Sequence, residues 1–130
     1  MTLSPEERQQ LITHYIEKSR KTEHEIPLLI ENDQLFTAVN RIYYGIFYML
    51  SALALKHHFS TSKHTQLLGW FNKNFVKDQK VDRKYTQYIQ EAFEKRMQGD
   101  YEVLTSFSKN EVNDLFAKMQ AILREIEKLL

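Results

Sequence analysis

One hundred and thirty residues suit a single domain, since chains divide into several cores only beyond roughly 250 residues. Three glycines, two prolines and no cysteine supply too little turn and bulge chemistry for sandwiches, barrels or glycine-rich nucleotide folds. They also exclude disulfides, thiolate chemistry and cysteine zinc sites. A formal net charge of +1 with 42% apolar residues describes a chain that can fill a core, but the sum hides where the charge lies.

The chain opens with Ser4-Pro5-Glu6-Glu7, a capping box with proline at the first helical position, where its missing N–H is one of the helix's orphans anyway. A first helix therefore starts at Pro5, with no apolar leader ahead of it, and the expected location is the cytoplasm. Leu11, Tyr15, Ile16, Ile26, Leu28 and Leu29 give that helix its apolar side. Pro27 is expected to end or kink it, and Asn32-Asp33 to form the turn.

From Gln34 to about His57 apolar residues occur on every face, which predicts a helix surrounded by others. Asn40, Arg41 and three tyrosines interrupt its apolar run, which falls short of the ~20 residues a bilayer requires, so the helix is expected inside a bundle and not in a membrane. Ser62 is the expected cap of a short third helix carrying Leu67, Leu68, Trp70, Phe71 and Phe75. The polar run 76–82 reads as a loop. Asp82 caps a fourth helix that is expected to run out near Gly99, and Ser108-Lys109-Asn110-Glu111 is a second capping box. The last helix repeats its apolar residues three and four apart, from Val112 through Leu115, Met119, Ile122 and Ile126, as a core-facing amphipathic helix does. The prediction is one all-α domain over 1–130, an up-and-down bundle of four long helices plus one short helix.

Three constellations could carry chemistry. Arg41 sits with Asn40 and Tyr44 in the most apolar helix, where a guanidinium is costly unless paired or wet. It reads either as part of a buried network with an acid or with tyrosines, or as a ligand-facing group. Lys95-Arg96-Met97-Gln98-Gly99-Asp100-Tyr101 places an arginine, a carboxylate and a phenol within two turns, and Asp100 is the expected partner of Arg41. Between Lys56 and Lys84, seven basic residues oppose only Asp78 and Asp82, and His57, His58 and His64 lie in the same stretch as Trp70, Phe71 and Phe75. Such a segment is either a solvated surface or a face for a phosphate backbone and stacked bases. No pair of histidines is spaced to share a metal on one helical face, and no phosphate-loop or hydrolase motif occurs.

Ala38-Val39-Asn40-Arg41-Ile42-Tyr43-Tyr44, then Ser62-Lys63-His64, Phe75-Val76-Lys77, Lys95-Arg96 and Gly99-Asp100-Tyr101, in this order, resemble the HEPN domain, in its small stand-alone prokaryotic branch, UPF0332. The resemblance implies a helical bundle, often dimeric, that binds RNA or a nucleotide without a metal or cofactor. It also implies one component of a toxin–antitoxin-like pair with a minimal nucleotidyltransferase. Many members are metal-independent ribonucleases with an Arg-x(4 to 6)-His motif, whose arginine falls on Arg96. Here the positions where the histidine belongs hold Tyr101, Glu102 and Val103. Arg8 and His14 meet the spacing on the first helix, but so loose a pattern does not carry the activity there. The resemblance thus leaves three readings. One is a binding module using Arg96, Arg41, Asn40, Tyr44, Lys63 and Asp100. Another is a ribonuclease whose acid–base role has moved to Tyr101, Asp100 or His64. The last is a non-catalytic interaction module.

Overall fold

Residues 2–130 are described by a computed structural model, in which α1 (Pro5–Glu31), α2 (Leu35–Lys56), α3 (His64–Phe71), α4 (Arg83–Tyr101) and α5 (Lys109–Glu127) follow in order. A π-helical turn, Asn72–Val76, extends α3. The described residues are all helix, turn and loop, with four long helices and one short one, as the sequence predicts.

Because α2 is apolar all round, it takes the centre, packed by α1, α3, α4 and α5. Ile42, Ile46, Met49 and Leu53 are completely or almost completely enclosed. By length and composition Leu35–Lys56 passes for a membrane span, yet 72% of its most apolar stretch is buried inside the bundle, where a core helix belongs. The approach of α1 is closest at Gly45. Ser19 Oγ donates to the Gly45 carbonyl at 2.7 Å, and a Cβ at Gly45 would collide with the Met119 side chain from α5.

Both capping boxes form. Ser4 with Glu7, and Ser108 with Glu111, satisfy each other's backbone N–H groups, and Asp82 accepts from Lys84 N at 2.8 Å. In α5, Val112, Leu115, Met119, Ile122, Leu123 and Ile126 are buried at the expected spacing.

Three local expectations are corrected. Pro27 does not end α1, which continues to Glu31. The proline lies on the exposed side, where the carbonyl it orphans is left to water, while Ile26 and Ile30 anchor the last turn in the core. Ser62 does not cap α3. Lys63 holds the cap position, and Thr61 Oγ1, one residue earlier than Ser62, accepts the Lys63 N–H at 3.1 Å and donates to Gln66 at 2.7 Å. Gly99 is not a turn: α4 passes through it to Tyr101. Its missing side chain makes room instead, because a Cβ there would stand 3.1 Å from both Phe36 and Phe107, two rings that pack at 5.2 Å.

Truncating the centre of this core should be severe. Leu53→Ala is expected to lower the unfolding free energy by roughly 2–5 kcal/mol, read from the urea midpoint at constant m-value.

Candidate anion-binding site

The inner edge of the site is the polar stripe of α2. Tyr43 is buried and Tyr44 and Phe47 are half-buried toward α3 and α4, while the half-buried Arg41 and Tyr48 also reach α1, at Thr22 and Tyr15. From α4, the Arg96 guanidinium lies over both phenol rings, 5.4 Å from the Tyr43 centroid and 5.1 Å from that of Tyr44. Arg41 lies 5.9 Å from the same Tyr44 ring. Two cations therefore share one aromatic ring, each such contact stabilising by ~0.5–2 kcal/mol depending on desolvation.

The expected Arg41–Asp100 pair does not form. Asp100 lies one helical turn from Arg96 and takes that arginine, Nε to Oδ2 3.1 Å. Arg41 has only a long contact of 3.5 Å to Thr22 Oγ1 and no ion pair among the described residues. The Arg96–Asp100 contact is close in distance but poorly aligned: Arg96 Nε is buried without a directed hydrogen bond. With its side chain only 15% exposed, Arg96 is held by charge and ring faces while its donors stay largely unspent.

The first residue of α3 completes the cluster. His64 stacks at 4.1 Å on Phe47, and its Nδ1 lies 2.6 Å from the Tyr43 hydroxyl. Burial, and then the nearby Arg96 charge, push the His64 pKa below its ordinary value, so the ring is neutral at pH 7. Burial raises the Tyr43 phenol despite the opposing pull of Arg96, so it keeps its proton. The direction of their hydrogen bond follows the His64 tautomer: where Tyr43 O–H donates to Nδ1, the His64 proton sits on Nε2. In this tautomer His64 is a hydrogen-bond donor and not a ready base.

Of the residues singled out from sequence, Arg96, His64, Tyr44, Arg41 and Asp100 come together, with Lys63 adjoining His64 in the chain. Asn40 sits half-buried on the same helix without a side-chain hydrogen bond among the described residues, and Tyr101 is 70% exposed with no contact to the cluster. Tyr43, Phe47 and Phe93 are site residues that the sequence reading passed over. They looked like core, although Tyr43 and Phe47 are four apart on one face, as are Arg96 and Asp100. On α1, Arg8 donates to the Leu55 carbonyl at 3.2 Å, a structural contact far from this cluster.

In the basic segment the cations, not the whole stretch, are exposed. Lys56, Lys63, Lys73, Lys77, Lys80, Arg83 and Lys84 all face solvent, and none makes an ion pair among the described residues. Its aromatics are not free for stacking: Phe71 and Phe75 are core, and Trp70 stacks on Phe59 at 5.4 Å.

This arrangement sits in a recognisable lineage. Residues 12–129 match the model of the HEPN domain. A UPF0332 protein of Thermotoga maritima is 39% identical over 124 residues, covering 95% of this chain and 94% of its own. A Methanocaldococcus jannaschii protein named "Putative toxin MJ0142" is 33% identical over 115 residues, 88% of this chain and 78% of its own. A UPF0332 protein of Pyrococcus horikoshii is 33% identical over 78 residues, 57% of this chain and 55% of its own. The chain belongs to the HEPN domain family.

His64 also makes a pH prediction. Its folded pKa is depressed below the unfolded value near 6.5, so the unfolded chain binds more protons and stability falls as pH drops from about 7 through the folded pKa. His57, likewise depressed by burial and then by Lys56, Lys80 and His58, contributes to the same slope. Urea midpoints measured from pH 7.5 to 5 (roughly the span over which histidine titrates) should fall less steeply in His64→Gln than in the parent.

Proposed function

We propose that this protein is a toxin-type HEPN protein that binds single-stranded RNA, holding a backbone phosphate at Arg96. The observation that carries the reading is the convergence of Arg41 and Arg96 on the Tyr44 ring with one carboxylate, Asp100, to offset two guanidinium charges. An aromatic floor bearing excess positive charge, with unspent N–H donors, suits a phosphodiester better than it suits any neutral ligand. Neutral His64 adds the ring nitrogen not engaged by Tyr43 at the same edge, and the seven cations of the 56–84 segment, none of them in an ion pair among the described residues, extend the attraction along a strand.

Family membership and the toxin name of a relative support placing the protein in a toxin–antitoxin-like pair, with a nucleotidyltransferase as its partner. Phe36, Met97, Tyr101, Val103 and Leu104 expose apolar surface around the end of α4, beside Arg96 and Asp100. This is the surface we assign to contact with that partner or with a second copy of the chain.

We favour binding over cleavage because Tyr101, Glu102 and Val103 stand where the ribonuclease motif has its histidine, and Tyr101 is an exposed phenol, a poor base at neutral pH. The test is fluorescence anisotropy with single-stranded RNA at fixed ionic strength. Arg96→Ala should weaken binding at least about tenfold, the scale of a lost charge-assisted contact, and should weaken binding more than it weakens folding, which loses its two ring contacts and the Asp100 pair. Equal losses of binding and stability would recast Arg96 as structural. If incubation with RNA and excess chelator yields 2′,3′-cyclic phosphate ends that disappear in Arg96→Ala, the protein is a ribonuclease and the binding-only reading fails.

A further inference from the structure

Beside the arginine cluster, α2, α3 and α4 enclose a cavity of about 120 Å³. We propose that this cavity is a base-recognition pocket that receives one pyrimidine of the RNA strand whose phosphate sits on Arg96. The proposal rests on the RNA-binding reading above and adds what that reading lacks, a source of sequence preference.

Four features point to a base. The walls combine four ring faces, Tyr43, Phe47, His64 and Phe93, on which any base stacks, with aliphatic side chains from the same three helices. The polar groups are few: the Thr65 hydroxyl and the Gln90 amide, on exposed residues of α3 and α4, together with the His64 edge left free by Tyr43. An amide presents one donor and one acceptor direction, the complement of a base edge. Gln90 spends only a long 3.3 Å hydrogen bond on Glu94 in the free protein.

Size selects the ring. A closed apolar cavity of roughly 150 Å³ holds a benzene, so a space of about 120 Å³ that is open on one side accommodates one six-membered ring and leaves a purine's second ring outside.

Position fits a strand. α2 and α4 run antiparallel, as the contacts of Phe36 with Gly99 and of Tyr43 with Phe93 require. Along their shared groove Arg41 and Arg96 lie to one side of the cavity. The exposed cations at the end of α2 and the start of α4, Lys56, Arg83 and Lys84, lie to the other. A backbone following the positive charge therefore passes the cavity mouth. A neutral apolar ligand would gain nothing from cations on both sides.

The experiment uses the full chain and 2′-O-methyl oligoribonucleotides of equal length, which resist cleavage: oligo(U), oligo(C), oligo(A) and an abasic strand. Dissociation constants are read by anisotropy at fixed salt. Oligo(U) and oligo(C) should bind roughly 5- to 150-fold tighter than the abasic strand, the range for one stacked base, and oligo(A) should resemble the abasic strand. Thr65→Phe, which fills the cavity from an exposed position, should bring all four to the abasic level without changing the salt dependence. Gln90→Trp fills it from the opposite helix and guards against a folding defect in the first variant.

Equal affinity for oligo(U) and oligo(A) overturns the pyrimidine pocket. So does equal affinity for oligo(U) and the abasic strand when both still depend on Arg96, a result that leaves phosphate binding intact. If no strand binds and Arg96→Ala changes nothing, the RNA-binding reading fails and the pocket with it.

Discussion

Burying a helix that is apolar on every side is the constraint from which the rest of this molecule follows. α2 has no face it can leave in water, so α1, α3, α4 and α5 must all find positions against it. Ser19 of α1 reaches the Gly45 carbonyl with its hydroxyl, the absent side chain of Gly45 admits Met119 of α5, and Gly99 lets two phenylalanines seal the opposite end. Where the enclosure by α3 and α4 is incomplete, the margin of α2 carries its tyrosines and Arg41. The site is therefore part of the solution to the packing problem, built from the residues of the central helix that the bundle does not fully cover.

That origin explains its electrostatics. Phenol faces replace the water that Arg96 gives up, and a single turn of α4 supplies Asp100 as partial compensation. The same burial keeps Tyr43 protonated and His64 neutral. Positive charge is thus concentrated in fixed guanidinium groups that do not titrate, with Asp100 as the one acidic partner among the described residues, while the phenol and imidazole beside them are uncharged at neutral pH.

Features decided within a few residues were legible in the sequence. Ser4, Asp82 and Ser108 cap their helices because a cap depends on the next three residues alone, and α5 shows its buried face through simple periodicity. Features decided by the environment were not. Pro27 is tolerated because its side of α1 is wet, and Gly99 serves two aromatic neighbours from distant segments rather than the local backbone. Arg96 stands out through family resemblance, but Asp100, expected to pair with Arg41, pairs with Arg96 instead, at a four-residue spacing that is visible in the sequence. The convergence of His64 with Arg96 could not be read, since it depends on how a loop of seven residues returns α3 to the middle of α2.

The exposed cations between Lys56 and Lys84 make the molecule an electric dipole. Its net charge of +1 gives almost no long-range pull on a polyanion, yet the excess of positive charge in one stretch, balanced by acids elsewhere, exerts a torque. At physiological ionic strength that torque acts only within about 8 Å. An approaching anionic partner would therefore turn the protein during the last approach, presenting the groove end first, and orientation would precede contact without the non-specific adhesion that a strongly basic protein suffers.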